Sequence, residues 1–207
     1  MESDAYKTLA APVSTETKVL ASRFLAFAHP VGSREDAIGI WKGLQRQYHD
    51  ATHHCYAFRL GTDGSDFRSN DDGEPSGTAG RPILAALERK GLTNVVVVVV
   101  RYFGGTKLGV GGLRRAYAEA AEAVLSKVKM EDRFCLSRLV AVFRYDLTAR
   151  VLHAISQGGG KVVNSDYGEK VKVEVEVRTS QAESLRAALA NATNGSVAFE
   201  NDNAGLI

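Results

Sequence analysis

The chain has 207 residues, of which 44% are hydrophobic and 24% are charged. This apolar content is sufficient for packed cores and excludes global disorder, and the length fits one large domain or two small ones. Lys and Arg number 26 against 24 for Asp and Glu, a net charge of +2, which argues against a polybasic, histone-like protein. A local basic patch remains compatible with this balance, because net charge averages over the whole surface.

Cysteine content and hydropathy bear on the compartment. The two cysteines, Cys55 and Cys135, are too few for a disulfide framework. The N-terminal segment lacks the positive and apolar regions of a signal peptide. The longest apolar run is Val95–Val100, six residues, far short of the roughly 20 that a membrane-spanning helix needs. The sequence therefore predicts a soluble cytoplasmic protein with no membrane anchor.

Strands and helices are predicted to alternate through the first 134 residues. Ser33 is a suitable helix N-cap, Glu35 and Asp36 suit the first turn, and apolar residues follow at spacings of three and four. Trp41 lies in that apolar stripe and is predicted to be in the core. The predicted elements are strands within 14–29, a helix at 34–48, strands at 54–60 and 66–69, and a helix at 80–89 that Gly91 ends.

Six consecutive valines, Val95–Val100, predict a strand that is buried on both faces, because a β-branched run without alternation suits such a strand. The glycine-rich segment 101–112 follows it and leads into a helix. The apolar face of that helix comprises Leu113, Tyr117, Ala120, Ala121, Val124 and Val128. The order strand, glycine-rich loop, helix is therefore predicted here.

A different pattern begins after about residue 133. The predicted elements are a strand at 139–143, a helix capped by Thr148, strands at 161–167 and 171–177, a helix capped by Ser180, and a strand at 196–200. Residues 171–177 alternate strictly between valine and charged residues, so one face of that strand is predicted to be buried. The order β-α-β-β-α-β is the ferredoxin-like pattern. The sequence thus predicts an α+β protein with domains at 1–134 and 135–207.

Charge is segregated between two loops of the first domain. Residues 101–115 contain four bases, Arg101, Lys107, Arg114 and Arg115, and no acid. Residues 61–77 contain five acids and a single base, Arg68. Any binding or chemistry is therefore predicted to concentrate in these two segments.

The glycine-rich segment is a candidate site for a phosphate or another anion. Glycines let backbone amides approach a ligand, and a helix N-terminus carries partial positive charge. The candidate anion- or RNA-binding residues are Arg101, Lys107, Gly109, Gly111, Gly112, Arg114, Arg115 and Arg81. Neither standard nucleotide-binding glycine motif is present, since Lys107 follows Thr106 and Arg114 stands where a sixth-position glycine is required. The glycines are equally explained by a tight turn and a close helix–sheet approach.

Asp71, Asp72 and Glu74 form an acidic loop with three possible uses. The carboxylates would bind Mg²⁺, cap the helix that follows, or pair with nearby arginines such as Arg81. Arg81 is therefore either an anion clamp or an ion partner of this loop. Structural pairing is the simplest interpretation, and no metal site is predicted.

The stretch His53-His54-Cys55 resembles a set of metal ligands. Neighbouring residues of a strand point to opposite faces, so the three cannot all face one ion. One ring is predicted to be packed and the other exposed or hydrogen-bonded. Cys55 is predicted to be a buried structural cysteine rather than a nucleophile. No catalytic residue and no cofactor are predicted.

Two motifs resemble the signature of the IMPACT/YigZ family. They are Asp71-Asp-Gly-Glu-Pro-Ser-Gly-Thr-Ala-Gly-Arg-Pro and Arg101-Tyr-Phe-Gly-Gly-Thr-Lys-Leu-Gly-Val-Gly-Gly-Leu, preceded by His54-Cys55. The resemblance covers about residues 15–130, and the remainder is similar to the C-terminal domain of bacterial YigZ-type members. It implies an N-terminal domain similar to the second domain of a small-subunit ribosomal protein and a C-terminal domain similar to the fifth domain of elongation factor G.

The resemblance also implies a role. Eukaryotic IMPACT regulates translation by competing for an activator of a stress kinase. It carries a different extra domain that is not expected in this sequence, so the resemblance does not imply the same partner. We therefore expect a non-enzymatic, translation-associated protein that binds RNA, the ribosome or a protein partner through residues 101–115. The alternative is an enzyme that binds a phosphorylated small molecule or nucleotide at the same loop, with the carboxylates of residues 71–74. The oligomeric state is left open.

Overall fold

The computed structural model describes residues 4–200. Its internal contacts divide this part of the chain into two compact units, residues 6–133 and residues 4–5 with 134–200. Residues 1–3 and 201–207, which the two predicted domains include, lie outside the described residues. Both units mix helices with antiparallel strands, as the predicted α+β class requires.

Residues 4–134 form strands and three helices. The strands are β1 (Ala5–Leu9), β2 (Val13–Val19), β3 (Ser22–Pro30), β4 (His53–Leu60), β5 (Asp66–Asn70), β6 (Val95–Tyr102) and β7 (Met130–Phe134). The helices among these described residues are α1 (Arg34–Gln47), α2 (Gly80–Arg89) and α3 (Gly109–Ser126). The remaining strands and α-helices are β8 (Leu136–Phe143), α4 (Thr148–Gln157), β9 (Lys161–Tyr167), β10 (Val171–Arg178), α5 (Thr179–Ala192) and β11 (Ala198–Glu200).

The valine-rich strand β6 is the centre of a five-stranded sheet of order β2-β3-β6-β4-β5. Every pairing in this sheet is antiparallel. Val95, Val97 and Val99 pack with α2 and α3, whereas the alternate valines Val96, Val98 and Val100 pack with α1. The prediction that this strand is buried on both faces is thus confirmed, and the helices on the two sides of the sheet explain it.

Local signals located most elements of the first unit. The Ser33 hydroxyl accepts a hydrogen bond from the Asp36 N–H at 3.1 Å, and Gly91 has a left-handed φ of +63° after α2. Helix α3 ends at Ser126, so Val128 lies beyond the helix that its spacing predicted. The strands β1 and β7, which pair in a separate two-stranded sheet, were not predicted. Their exposure does not alternate, so they lack the period of two on which a strand prediction depends.

The second unit has the predicted β-α-β-β-α-β order, with the sheet order β11-β8-β10-β9. All of its strand pairs are antiparallel. The four valines of β10 are at most 1% exposed, and they pack with residues of α4 and α5. The alternation therefore arises as predicted, because helices cover one face of the sheet and the other face contacts solvent.

Two predicted caps in the second unit are wrong. Thr148 is the first residue of α4, and its hydroxyl donates a hydrogen bond to the Tyr145 carbonyl at 2.6 Å. Ser180 lies inside α5, and its N–H donates to both carboxylate oxygens of Asp4, at 3.0 and 2.9 Å. A side chain that is remote in sequence thus caps α5, which no local pattern indicates.

None of the helices within residues 4–200 is long and apolar enough to cross a membrane.

Candidate functional site

The acidic and glycine-rich segments lie on two sides of one cavity in the first unit. The cavity has a volume of about 450 Å³, within the roughly 300–1,000 Å³ typical of small-molecule sites. Its lining combines polar groups with an apolar wall. The lining residues are Thr52, His53, Glu74, Pro75, Arg101, Phe103, Lys107, Leu108, Gly109, Val110 and Leu113. The charge segregation seen in the sequence therefore corresponds to a meeting of the two segments in space.

A buried ion pair joins the two segments at this cavity. Glu74 Oε1 accepts hydrogen bonds from Arg101 Nη1 at 2.6 Å and from the Tyr117 hydroxyl at 2.8 Å. The side chains of Glu74 and Arg101 are only 4% and 5% exposed. The Arg101 guanidinium also lies over the rings of Phe24 and Phe103, at 5.5 and 5.4 Å from their centroids. Arg101 is therefore part of the cavity wall and is not an exposed contact for a polymer backbone.

Cys55 and Tyr117 extend this network into the core. The Cys55 sulfur lies 3.3 Å from the Tyr117 hydroxyl and 3.0 Å from the Asp71 carbonyl oxygen. Burial raises the pKa of the Cys55 thiol well above its ordinary value, and it raises the pKa of the Tyr117 phenol in the same way. Both groups are neutral at physiological pH. Cys55 is thus a buried structural cysteine, as its strand position predicted.

The two neighbouring histidines have different environments. His53 Nδ1 lies 2.7 Å from the Asp72 carbonyl oxygen, and because a carbonyl only accepts, this nitrogen carries the hydrogen. The other ring nitrogen of His53 faces Glu74 Oε1 at 3.8 Å. His54 is packed, with Nε2 at 2.9 Å from the Tyr48 carbonyl oxygen. The prediction of one packed and one hydrogen-bonded ring is confirmed, and only His53 lines the cavity.

The two aspartates of the acidic loop accept hydrogen bonds from backbone N–H groups. The Asp71 carboxylate accepts hydrogen bonds from the N–H groups of Gly77, Ala79 and Gly80 at 2.8, 2.9 and 2.9 Å. It therefore caps the start of α2, and Asp72 Oδ2 accepts from the His54 N–H at 2.6 Å. No group of three or more metal-binding side chains occurs within residues 4–200.

Replacing Asp71 by asparagine is expected to lower the unfolding free energy by about 1 kcal/mol at neutral pH, because the negative charge at the start of α2 is lost and an amide nitrogen cannot accept as one of the carboxylate oxygens does. Burial alone would raise the pKa of Asp71, but the backbone N–H groups hold it below its ordinary value of 3.8. Its stabilising effect is therefore complete above about pH 5 and declines as the pH falls through the folded-state pKa. Urea unfolding at a series of pH values should give a flatter acid limb for Asp71→Asn. Parallel profiles for the two proteins would contradict this assignment.

Three exposed cations lie at the start of α3, and we call Lys107, Arg114 and Arg115 the basic patch. Within residues 4–200 none of them forms an ion pair. Helix α3 has no acidic residue in its first turn, and no side chain caps its N-terminus. Arg81 is also exposed, at the start of α2. The carboxylates of the acidic loop have other partners, and within residues 4–200 none of them pairs with Arg81. The patch thus combines free positive side chains with the positive end of a helix.

The glycines of this segment have different roles. A Cβ on Gly104 would lie 2.0 Å from the backbone of Ala21, so this glycine permits a close approach of two loops. Gly109 has a φ of +68° where α3 begins, a conformation that favours glycine. Gly111 has no atom within 4 Å of an added Cβ, and Gly112 has only Leu108, at 3.1 Å. Close packing explains Gly104, whereas the glycines of α3 leave its first turn open.

Sequence comparison places this site within a known family. Residues 20–125 match the Impact N-terminal domain. The chain is 33% identical over 190 residues to the IMPACT family member YigZ of Escherichia coli. This match covers 91% of this chain and 93% of that protein. The chain belongs to the IMPACT family.

Other matches extend the IMPACT assignment over the remaining sequence and the fold. Residues 142–196 match a family described as a domain of unknown function, DUF1949. A crystal structure described as that of a hypothetical protein superimposes with a TM-score of 0.73 and 31% identity, over 96% of this chain and 97% of that one. The Protein IMPACT homolog of Saccharomyces cerevisiae is 36% identical over 109 residues, 50% of this chain and 42% of the yeast protein.

Several cavity residues of this IMPACT-family chain were not identified from its sequence. Thr52 carries no motif, and Phe103, Leu108 and Val110 lie in the glycine-rich family motif but were not named as candidate site residues. Tyr117 was assigned to the apolar face of α3, which is correct, but its hydroxyl also binds Glu74. The exposure of Phe103 and Val110, at 44% and 53%, appears only in the structure.

Proposed function

We propose that this protein is a translation-associated regulator that binds RNA, including RNA of the ribosome, through the basic patch. The observation that carries this proposal is the set of three exposed cations without ion partners at the uncapped start of α3. Phosphate groups are the ligands that such a combination of lysine, arginine and helix N-terminus favours. In this proposal the three cations of the basic patch make the side-chain contacts to RNA. The neighbouring backbone is formed by Arg101, Gly109, Gly111 and Gly112, which make no such contacts.

Family membership supports the translation-related part of the proposal. The yeast relative is named an IMPACT homolog, and the resemblance noted from the sequence links IMPACT proteins to translation control and stress. The expected similarity of the two domains to a ribosomal protein domain and to the fifth domain of elongation factor G adds to it. A cytoplasmic location is part of the same proposal.

Removing the two arginines of the patch tests RNA binding. For Arg114→Ala/Arg115→Ala we expect the Kd for a single-stranded RNA to rise by about tenfold or more at 0.1 M salt. The slope of log K against log salt concentration should fall by about 1.4, because two phosphate contacts are lost at roughly 0.7 each. Fluorescence anisotropy across a salt series measures both quantities, and co-sedimentation with ribosomes should weaken in parallel.

The matched control changes charge equally on the opposite side of the sheet. Lys42 and Arg46 are exposed on α1, and neither forms an ion pair within the described residues. Lys42→Ala/Arg46→Ala should leave the Kd within about twofold. Equal losses in the two double variants would mean that RNA responds only to net charge and would contradict the proposed site. Capture of a protein that persists after RNase treatment would favour a protein partner instead.

A second candidate function is an enzyme that acts on a phosphorylated small molecule or nucleotide. The meeting of the two segments around one cavity favours it. Its proposed carboxylates have other partners, however, since Asp71 caps α2 and Glu74 binds Arg101. A thermal-shift screen of nucleotides with and without Mg²⁺, followed by a turnover assay on each stabilising compound, separates this candidate from a pure binding protein.

A further inference from the structure

We propose that the cavity beside the basic patch binds a nucleoside phosphate, supplied either as the terminal nucleotide of an RNA strand or as a free nucleotide. The phosphate would lie at the start of α3, and the base would lie against the apolar wall. The RNA-terminus form of this proposal rests on the proposed function, whereas the free-nucleotide form is independent of it.

The charge of the cavity lining favours an anion. Glu74 and Arg101 neutralise one another at 2.6 Å. Lys107 then contributes an uncompensated positive charge, and the N-terminus of α3 adds its partial positive charge. The other two helices of this unit are already capped, α1 by Ser33 and α2 by Asp71. Helix α3 therefore keeps free N–H groups beside a cationic cavity wall.

A buried hydrogen-bond donor without a partner in the cavity wall also favours an anionic ligand. Arg101 is 4% exposed, yet its Nε has no hydrogen-bond partner within the described residues. Its terminal nitrogens bind Glu74 and Ser22. Buried polar atoms without partners are rare in folded proteins and call for an explanation. Because Arg101 lines the cavity, a small shift of its guanidinium toward a ligand with oxygen acceptors would give this buried donor a partner.

The apolar residues of the lining suit a flat apolar group. Pro75, Phe103, Leu108, Val110 and Leu113 all contribute to it. Phe103 and Val110 are 44% and 53% exposed, and exposed apolar patches rimmed by polar residues are typical of ligand-binding grooves. An exposed aromatic ring next to a phosphate-binding group is the combination on which nucleic acid bases stack, irrespective of base identity. A phosphate joined to a base matches both the cationic and the apolar residues of the lining, whereas inorganic phosphate matches only the cationic ones.

Isothermal titration with adenosine 5′-monophosphate, adenosine and ribose 5-phosphate tests the two halves separately. We expect saturable binding of the monophosphate, and binding of each of the two fragments that is weaker by about tenfold or more. Equal binding of ribose 5-phosphate and the monophosphate would remove the base from the proposal. An absence of saturable binding by the monophosphate, together with no preference for a phosphorylated RNA end, would overturn it.

A charge placed at the cavity supplies the matched variants. Val110 lies in the first turn of α3 and is exposed, so Val110→Glu and Val110→Gln should both fold, as circular dichroism will verify. Val110→Glu should weaken binding of the monophosphate by about tenfold or more through repulsion, whereas Val110→Gln should change it by less than about threefold. Equal binding by the two variants would overturn the proposal.

RNA oligonucleotides that differ only at the 5′ end identify the source of the nucleotide. If the ligand is an RNA terminus, the 5′-phosphorylated strand should bind about tenfold tighter than the 5′-hydroxyl strand, and Val110→Glu should abolish the difference. If the ligand is a free nucleotide, the two strands should bind equally while the monophosphate binds in the cavity. The effect of Arg114→Ala/Arg115→Ala on salt-dependent RNA binding tests the proposed function alone. The titration with the monophosphate tests the cavity, so the two proposals can fail separately.

Discussion

Replacing Glu74 by alanine is expected to lower the free energy of unfolding by about 3–5 kcal/mol, the largest effect of any single side chain at the site. The substitution leaves the buried guanidinium of Arg101 without a counter-charge, and it removes the acceptor of the Tyr117 hydroxyl. Removal of one member of a buried pair costs far more than the pair itself contributes, because an uncompensated charge stays in a region of low dielectric. Urea denaturation followed by circular dichroism measures the change.

Two further variants make this prediction specific to burial. Glu16 forms an ion pair with Arg23 at an exposed site, and Glu16→Ala should leave the unfolding midpoint almost unchanged. The double variant Glu74→Ala/Arg101→Met removes both charges and should recover part of the lost stability. If Glu74→Ala alone lowers the unfolding free energy by less than about 1 kcal/mol, or if the double variant is as unstable as the sum of the single ones, the pair is not buried as described.

The same pair determines which residues can report on binding. The sequence analysis listed Arg101 with Lys107, Arg114 and Arg115 as a candidate anion- or RNA-binding residue, yet Arg101 is 4% exposed. A substitution of Arg101 would alter folding and ligand binding together, so its effect on RNA affinity would not identify a contact. Lys107, Arg114 and Arg115 are exposed and report on binding without this complication.

Sequence patterns were sufficient wherever one periodicity determined the structure. The valine run of β6 and the alternation of β10 each indicated how many faces of the strand are buried. Ser33 and Gly91 marked helix ends because their signals are local. The cap of α5 was missed, since Asp4 and Ser180 are far apart in sequence. Strands β1 and β7 were missed because their sequences lack alternation.

The candidate site shows the same division between local and long-range information. Segregation of acids and bases between two loops could be seen in the sequence, and both loops line the cavity. The use of each carboxylate could not, because it depends on the loop conformation. The left-handed φ of Asp72, +42°, lies in the turn that lets Asp71 reach the start of α2, while Glu74 extends into the core to Arg101. Net charge therefore describes this protein less well than the position of each unpaired cation.

Replacing Gly104 by alanine is expected to lower the free energy of unfolding by about 3 kcal/mol, whereas the same substitution at Gly39 should raise it by about 1 kcal/mol. At Gly104 the new Cβ would lie 2.0 Å from the backbone of Ala21. Relief of this clash requires the glycine-rich loop to move away from the β2–β3 turn, which breaks the hydrogen bond from the Gly104 N–H to the Ser22 hydroxyl. The adjacent Phe103 would move with it and disturb the cavity wall.

Gly39 is the matched control because alanine there meets nothing. It is exposed within α1, and no atom lies within 4 Å of an added Cβ, so alanine only reduces the entropy of the unfolded chain and favours the helix. Urea unfolding of the two variants should therefore shift in opposite directions. A Gly104→Ala protein as stable as the wild type would mean that the loop does not pack against the β2–β3 turn. The glycine at position 104 would then have to be explained by ligand approach.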